Sequence, residues 1–357
     1  MKPSARLLLL SALILAVSCE REVFEPTFYS LPEGAPVTLS IGFGAQGEGE
    51  VQIGTKAEMS RADESRVHDL YVLLFDSSGN KFYGRYFTYE HQITSLTTLT
   101  GQNNEGWFVE NLQLNETDGS KKTRGVVKVS TVSKTGCTLV LLANVSNAIT
   151  SLNGEDAVTW LTGVGNLEDL KKVQVTLEQD VVNRADLFLM MGKAEELNTS
   201  AMAWNKTDGS NTNDYGTDYK IDLKRLDAKV KFRIKYNTTN ISDITPRFWQ
   251  VYNVPSACYL TEHEADPAEV SFFNTEETYF EGTESDSDGS IWQVFTFYML
   301  ENRPTFKKTA NKYEQRELQE KEETDDAHVK NGAWEYAPDK GTYVKFDVIL
   351  NLTTAGI

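Results

Sequence analysis

Leu226 to Tyr236 alternates without a break between apolar and charged side chains. Leu226, Ala228, Val230, Phe232, Ile234 and Tyr236 occupy one register; Asp227, Lys229, Lys231, Arg233 and Lys235 occupy the other. A helix would scatter those apolar residues around its whole surface, whereas a strand gathers them on one face, so the period of two decides for β. The same period runs through Val37, Leu39, Ile41 and Phe43, through Val173, Val175 and Leu177, and through Val344, Phe346, Val348, Leu350 and Leu352. Further strands are predicted at Lys81–Tyr89, Gly125–Val132, Cys137–Val145, Arg247–Val254 and Ile291–Leu300. Val67 to Phe75 is apolar on both faces and runs into Asp76-Ser-Ser-Gly79-Asn80, a hairpin-type turn. Only Gly154–Leu161 and Asn166–Lys172 read as helices, the second with Asn166 as its cap. Many strands and few helices imply a mostly β protein of sandwich architecture. No internal repeat of 20 to 50 residues is present.

The amino end has a different logic. Lys2 and Arg6 precede an apolar run, Leu7 to Val17, about half the ~20 residues a bilayer-spanning helix needs. That layout marks a secretory signal peptide over residues 1–18. Its ending, Ala16-Val-Ser-Cys19, resembles a bacterial lipobox, with Ala16 where leucine is preferred. The resemblance implies cleavage before Cys19 and lipidation of its sulfur. Two or three acyl chains anchor stably, because each buried methylene contributes about 0.8 kcal/mol. Glu20 and Glu22 are similar to the surface-export signals of Bacteroidota lipoproteins, so an outer-membrane, cell-surface location is expected.

The 52 acidic and 35 basic side chains leave a net charge of −17. Such a surface excludes nucleic acid as partner, since counterion release needs a basic one. From Glu262 to Asp288 there are ten acids and no Lys or Arg. Within that stretch Glu284 to Ile291 is similar to the start of a calcium loop, but Phe295 stands where the chelating glutamate belongs, and a solvated acidic loop is the preferred reading. His68, His91, His263 and His328 share no metal-ligand spacing. Cys137 and Cys258 read as small core residues, with a disulfide as the alternative. No nucleophile elbow, P-loop or dinucleotide fingerprint occurs, so neither an enzyme nor a cofactor is expected.

Residues 19–36 form a spacer. A first β-sandwich domain is expected over 37–217 and a second over 218–357, divided at the Gly- and Asn-rich stretch near Asp208. The strand at Tyr219–Leu223 could close the first or open the second. A charged insertion, 307–330, interrupts the second domain. Few strands remain for its core, which points to a sequence that stops before its natural end; alternatively, Tyr343–Leu352 is its last strand.

The segments now fall into a recognisable order: the lipobox, the strand Val37–Phe43, then Val67-His-Asp-Leu-Tyr-Val-Leu-Leu-Phe-Asp76, Leu139-Val-Leu-Leu-Ala-Asn144, Leu187-Phe-Leu-Met-Met-Gly192 and Leu223-Lys-Arg-Leu-Asp-Ala-Lys-Val-Lys231. Tyr252-Asn-Val-Pro255, Phe297-Tyr-Met-Leu-Glu-Asn302 and Ala337-Pro-Asp-Lys-Gly-Thr-Tyr-Val344 follow. This series resembles the fimbrillin family, the pilin-type lipoproteins of the Bacteroidota type V pilus. The resemblance implies two transthyretin-like β-sandwiches in tandem and a structural, adhesive pilus subunit. It also implies assembly by donor-strand exchange: a trypsin-like protease cuts the linker after the first strand, and a neighbouring subunit's strand replaces the one that leaves. Here the leaving strand is Val37–Phe43, with Val37, Leu39, Ile41 and Phe43 filling the groove. Lys56 and Arg61 are the processing candidates. Partners would be other pilus subunits, the activating protease, and the outer membrane through the lipid. A surface glycan-binding lipoprotein, using tryptophans and tyrosines as stacking platforms, is the alternative.

Overall fold

The computed structural model describes residues 31–45, 64–93, 107–111, 124–146, 150–177, 187–199, 219–235, 241–264, 266–280, 282–303 and 340–352. Residues 1–18, expected as a signal peptide, lie outside them, as do Cys19, Lys56, Arg61 and the segment 307–330 expected as a charged insertion. Among the described residues no helix is long and apolar enough to cross a membrane.

The chain is mostly β, as its periodicity requires. The first half contributes β1 (Pro36–Ala45), β2 (Asp69–Phe75), β3 (Lys81–Ile93), β4 (Trp107–Asn111), β5 (Arg124–Val132), β6 (Cys137–Ala143) and β7 (Thr150–Leu152). Two short helices follow, α1 (Ala157–Gly163) and α2 (Leu167–Lys171), then β8 (Gln174–Leu177), β9 (Met190–Leu197) and β10 (Tyr219–Arg225). The remainder is β11 (Asp227–Ile234), β12 (Ile241–Tyr252), β13 (Val254–Pro255), β14 (Ala257–Tyr259), β15 (Phe272–Phe273), β16 (Thr278–Tyr279), β17 (Gly282–Ser285), β18 (Ile291–Leu300) and β19 (Tyr343–Leu352).

Eight strands close on themselves in the order β1-β10-β9-β6-β2-β3-β4-β5. Tyr219–Leu223, which the sequence left between the two halves, lies in β10 and is therefore part of the strand beside β1: Ile41 to Ala45 run parallel to Tyr219 to Leu223. Later strands form two three-stranded sheets, β11-β18-β17 and β16-β12-β19. β14 returns to pair with β8, Cys258 opposite Val175.

β2 is buried at every position, and the reason is its place between two cores. Leu70, Val72 and Leu74 point into the closed sheet with Leu139, Leu141 and the β1 residues. Tyr71, Leu73 and Phe75 point outward onto α1, α2 and the second half, where Trp249, Phe295 and Phe297 pack. The Trp249 ring lies 4.6 Å from Phe295 and 6.0 Å from Phe297, centroid to centroid.

Local signals set the boundaries. The Asn166 side chain accepts from Asp169 N–H at 2.8 Å, capping α2 as the sequence predicts, and Asp156 caps α1 through Thr159. The Asp76 turn closes with Gly79 at φ 80° and the Asp76 carboxylate accepting from the Ser78 and Asn80 amides. β12 starts six residues before the predicted Arg247, running through Pro246. A register shift between Pro246 and Phe248 makes a bulge there, which tolerates a residue without an N–H.

One expectation changes. Glu262–Asp288 is not a plain solvated loop, because β15, β16 and β17 run through it. The calcium-like segment repeats the Asp76 turn: Asp286 N–H donates to Ser290 O, Gly289 N–H donates to Asp286 O, and Gly289 has φ 81°. Asp286 accepts from Arg233 at 2.6 Å and from Trp292 Nε1 at 2.5 Å, so both its oxygens face protein donors.

Cys137 and Cys258 are free and buried in separate cores. Burial pushes the Cys137 thiol up to about 11 and the Cys258 thiol up to about 12. Neither is a thiolate at neutral pH. Both should resist a thiol reagent in the folded chain and react in guanidinium chloride. Native labelling of either one would contradict this packing.

Candidate functional site

The site that the sequence singled out is a strand and the slot it fills. β1 is not an edge strand. It pairs antiparallel with β5 from Pro36↔Val132 to Gly44↔Arg124, and parallel with β10 on its other side. Val37 is 6% exposed, and Leu39, Ile41 and Phe43 are fully buried, so all four predicted residues point into the closed core. Thr38, on the opposite register, is exposed. Fully burying such side chains contributes about 1.5–3 kcal/mol each, so the four together hold β1 by roughly 6–12 kcal/mol before entropy is counted. Removing it would open two hydrogen-bonding edges and an apolar slot at once.

The chain re-enters the described structure at Glu64, a residue that sequence reasoning missed. Glu64 is 3% exposed, just ahead of β2. Its carboxylate accepts from Arg225 at the end of β10, from Lys229 Nζ on β11 at 2.7 Å, and from Tyr298 Oη on β18 at 2.7 Å. Burial pushes its pKa up, but hydrogen bonds from Lys229, Tyr298 and Arg225 and the charge of Lys229 outweigh that, leaving it below the ordinary value. Lys229 stands on the cleanest alternating strand in the sequence; its reach to Glu64 spans 165 positions, and local pattern holds no trace of it. Downstream, the Arg66 carbonyl accepts from Asn144 Nδ2 at 2.9 Å and the His68 amide donates to Asn144 Oδ1 at 2.8 Å. The backbone is therefore pinned on the carboxyl side of the Lys56–Arg61 stretch.

Asp69, 0% exposed, accepts from the Val145 amide at 2.7 Å and from the Ser146 hydroxyl, with His68 Nδ1 3.6 Å away. These are the residue types of a hydrolytic triad in the wrong order. The serine donates to the aspartate, and the imidazole lies beside that aspartate instead of between the two, so no base is placed on the serine.

The glycan alternative asks for open aromatic faces. Trp249 is buried. Trp160 packs on the core, and Trp292 has Arg233 and Lys235 cations 4.7 and 4.4 Å from its ring centroid. None of these three offers a free platform.

Residues 44–356 match the model of the Mfa2 family, described as fimbrillin-A associated anchor proteins Mfa1 and Mfa2. A comparison with curated protein sequences gives no match. Among solved structures, a fimbrial assembly protein from Parabacteroides distasonis is 15% identical over 74% of this chain and 76% of its own, with TM-score 0.38. The fimbrial anchor protein Mfa2 from Porphyromonas gingivalis is 14% identical over 75% of this chain and 74% of its own, with TM-score 0.30. At such values the family match carries the assignment, and by it this chain belongs to the fimbrillin-A associated anchor protein family, a family of fimbrial proteins.

Proposed function

We propose that this chain is a pilus subunit, exported as a surface lipoprotein through Cys19 and joined to its neighbours by donor-strand exchange. A trypsin-like protease would cut between β1 and Glu64, at Lys56 or Arg61, severing β1 from the rest of the fold. A strand from another subunit would then take its place, with main-chain hydrogen bonds supplying affinity and alternating side chains filling the slot. The observation that carries this reading is the seating of β1. It is the first strand among the described residues, wholly interior on one register, and joined to everything after it only by residues 46–63. On the same reading the chain forms two transthyretin-like domains, and the pairing of β10 with β1 favours a boundary near Leu226 instead of 217/218. Limited trypsin treatment of the folded chain should yield one cut among residues 46–63 and then convert monomers to rods or ladders. A cut chain that stays monomeric at high concentration would falsify the proposal.

A further inference from the structure

The slot that β1 occupies is not uniform along its length. Opposite Leu39 and Ile41, β5 presents Val129 and Val127; opposite Phe43 it presents Gly125. The Phe43 ring lies directly on that glycine. A Cβ built on Gly125 would stand 2.2 Å from Phe43 Cζ and 2.6 Å from Cε2, closer than atoms can approach. Phe43 is fully buried, and Ile221 of β10 is its neighbour on the other side. Gly42 and Gly44, flanking the phenylalanine, are buried as well. The slot therefore has three aliphatic positions and then a wider pocket, floored by Gly125, that an aromatic ring fills. A glycine beneath a cross-strand aromatic is a weak strand position that the ring covers.

We infer that Gly125 is a specificity determinant: the strand that replaces β1 must be one from a partner subunit carrying four alternating apolar side chains, the last of them aromatic and set over this glycine. The inference rests on the exchange reading above and deepens it by naming the partner's chemistry. A strand with a small residue at the fourth position would leave a void the size of a phenyl ring. Large-to-small changes of that kind in packed cores weaken association by about a hundredfold or more.

The test uses the full chain after trypsin cleavage and fluorescent peptides with the sequence of Pro36–Ala45, either unchanged or carrying Phe43→Leu or Phe43→Ala. The unchanged peptide should bind about a hundredfold more tightly than the alanine version, with leucine between. In a Gly125→Ala chain the order should invert, leucine binding better than phenylalanine. The peptide series on the unmodified chain stands even where the Gly125→Ala chain fails to fold. Equal binding by all three peptides overturns the pocket while leaving exchange intact. Binding by none of them overturns exchange itself, and the pocket's role with it.

Discussion

Glu64→Ala should lower the stability of the folded chain by about 3–5 kcal/mol, the range for breaking a buried ion pair by removing one partner. The loss is large because two cations, Arg225 and Lys229, and the Tyr298 hydroxyl all converge on this carboxylate, and each would lose this buried acceptor. Glu64→Gln keeps the shape and one acceptor, so it should retain part of the difference. The pH dependence has a definite sign. Glu64 sits below its ordinary value of 4.5 in the folded chain. A carboxyl whose folded pKa is depressed contributes stability that is present above the unfolded value and is lost as pH falls through the folded one. Urea unfolding from pH 7 downward should therefore show wild type losing an increment below about pH 4.5 that Glu64→Gln never had. Parallel curves for the two proteins across that window would sink the assignment. The location matters as much as the size, because the three partners lie on β10, β11 and β18. Loss of the carboxylate should loosen the second half from the first before either unfolds, so near-UV circular dichroism should change at lower urea than far-UV.

Asp69→Ala should cost about 2–6 kcal/mol, from two donors left unmet, by a different mechanism. The Asp69 carboxylate is fully buried and satisfies the Val145 amide and the Ser146 hydroxyl, while its own carbonyl accepts from the Asn144 amide. Asn144 is held at φ 63°, a left-handed conformation that asparagine tolerates better than most residues. Alanine would leave the Val145 amide buried without an acceptor at the point where β6 ends, and unmet buried donors cost about 1–3 kcal/mol each. Asp69→Asn keeps an acceptor and should recover roughly half. Hydrogen exchange at Val145 and Ser146 gives the direct reading: protection should collapse in the alanine variant. If both amides stay protected, the carboxylate is not what holds the turn.

Local periodicity made the strands legible; β1 shows the expected division, with Leu39, Ile41 and Phe43 buried and Thr38 exposed, whereas β18 is buried on both faces from Val294 onward and Phe346, Leu350 and Leu352 of β19 are exposed. β18 and β19 fall on the predicted residues, and β1 and β11 come close; in β1, β11 and β19 alternation is written into four to six choices, whereas β18 reads as a near-continuous apolar run. Leu39, Ile41 and Phe43 were readable as a set for the same reason. Pairing was not readable. Nothing in Tyr219–Arg225 says that it lies beside Ile41 and not beside its own neighbour Asp227, since edge hydrogen bonds are blind to sequence. Glu64 was invisible because its partners are 161 to 234 positions away and a lone glutamate after a Ser-Arg-Ala-Asp run reads as solvated. The acidic stretch misled in the opposite direction. Its charge suggested solvent, but Glu284 and Asp286 face the basic register of β11, where Lys231 Nζ stands 2.5 Å from Glu284 and Arg233 reaches Asp286. The Gly125 pocket carried a faint signal, an isolated glycine at the start of a strand, whose meaning depends on which residue lies across from it.

The parallel seam between β1 and β10 also sets a clock. β1 is complete at Ala45, but its second neighbour ends only at Arg225. For a chain exported as proposed above, that interval is the time the intervening residues take to emerge on the far side of the membrane. Throughout it, the most apolar alternating segment near the amino end has at most β5 to rest on, and the ring of strands cannot close. Contacts so distant along the chain make closure a late event. An unpaired strand of that composition is the kind of surface on which chains stick to one another. Cells making this protein therefore need to keep β1 occupied or dilute until residue 225 arrives.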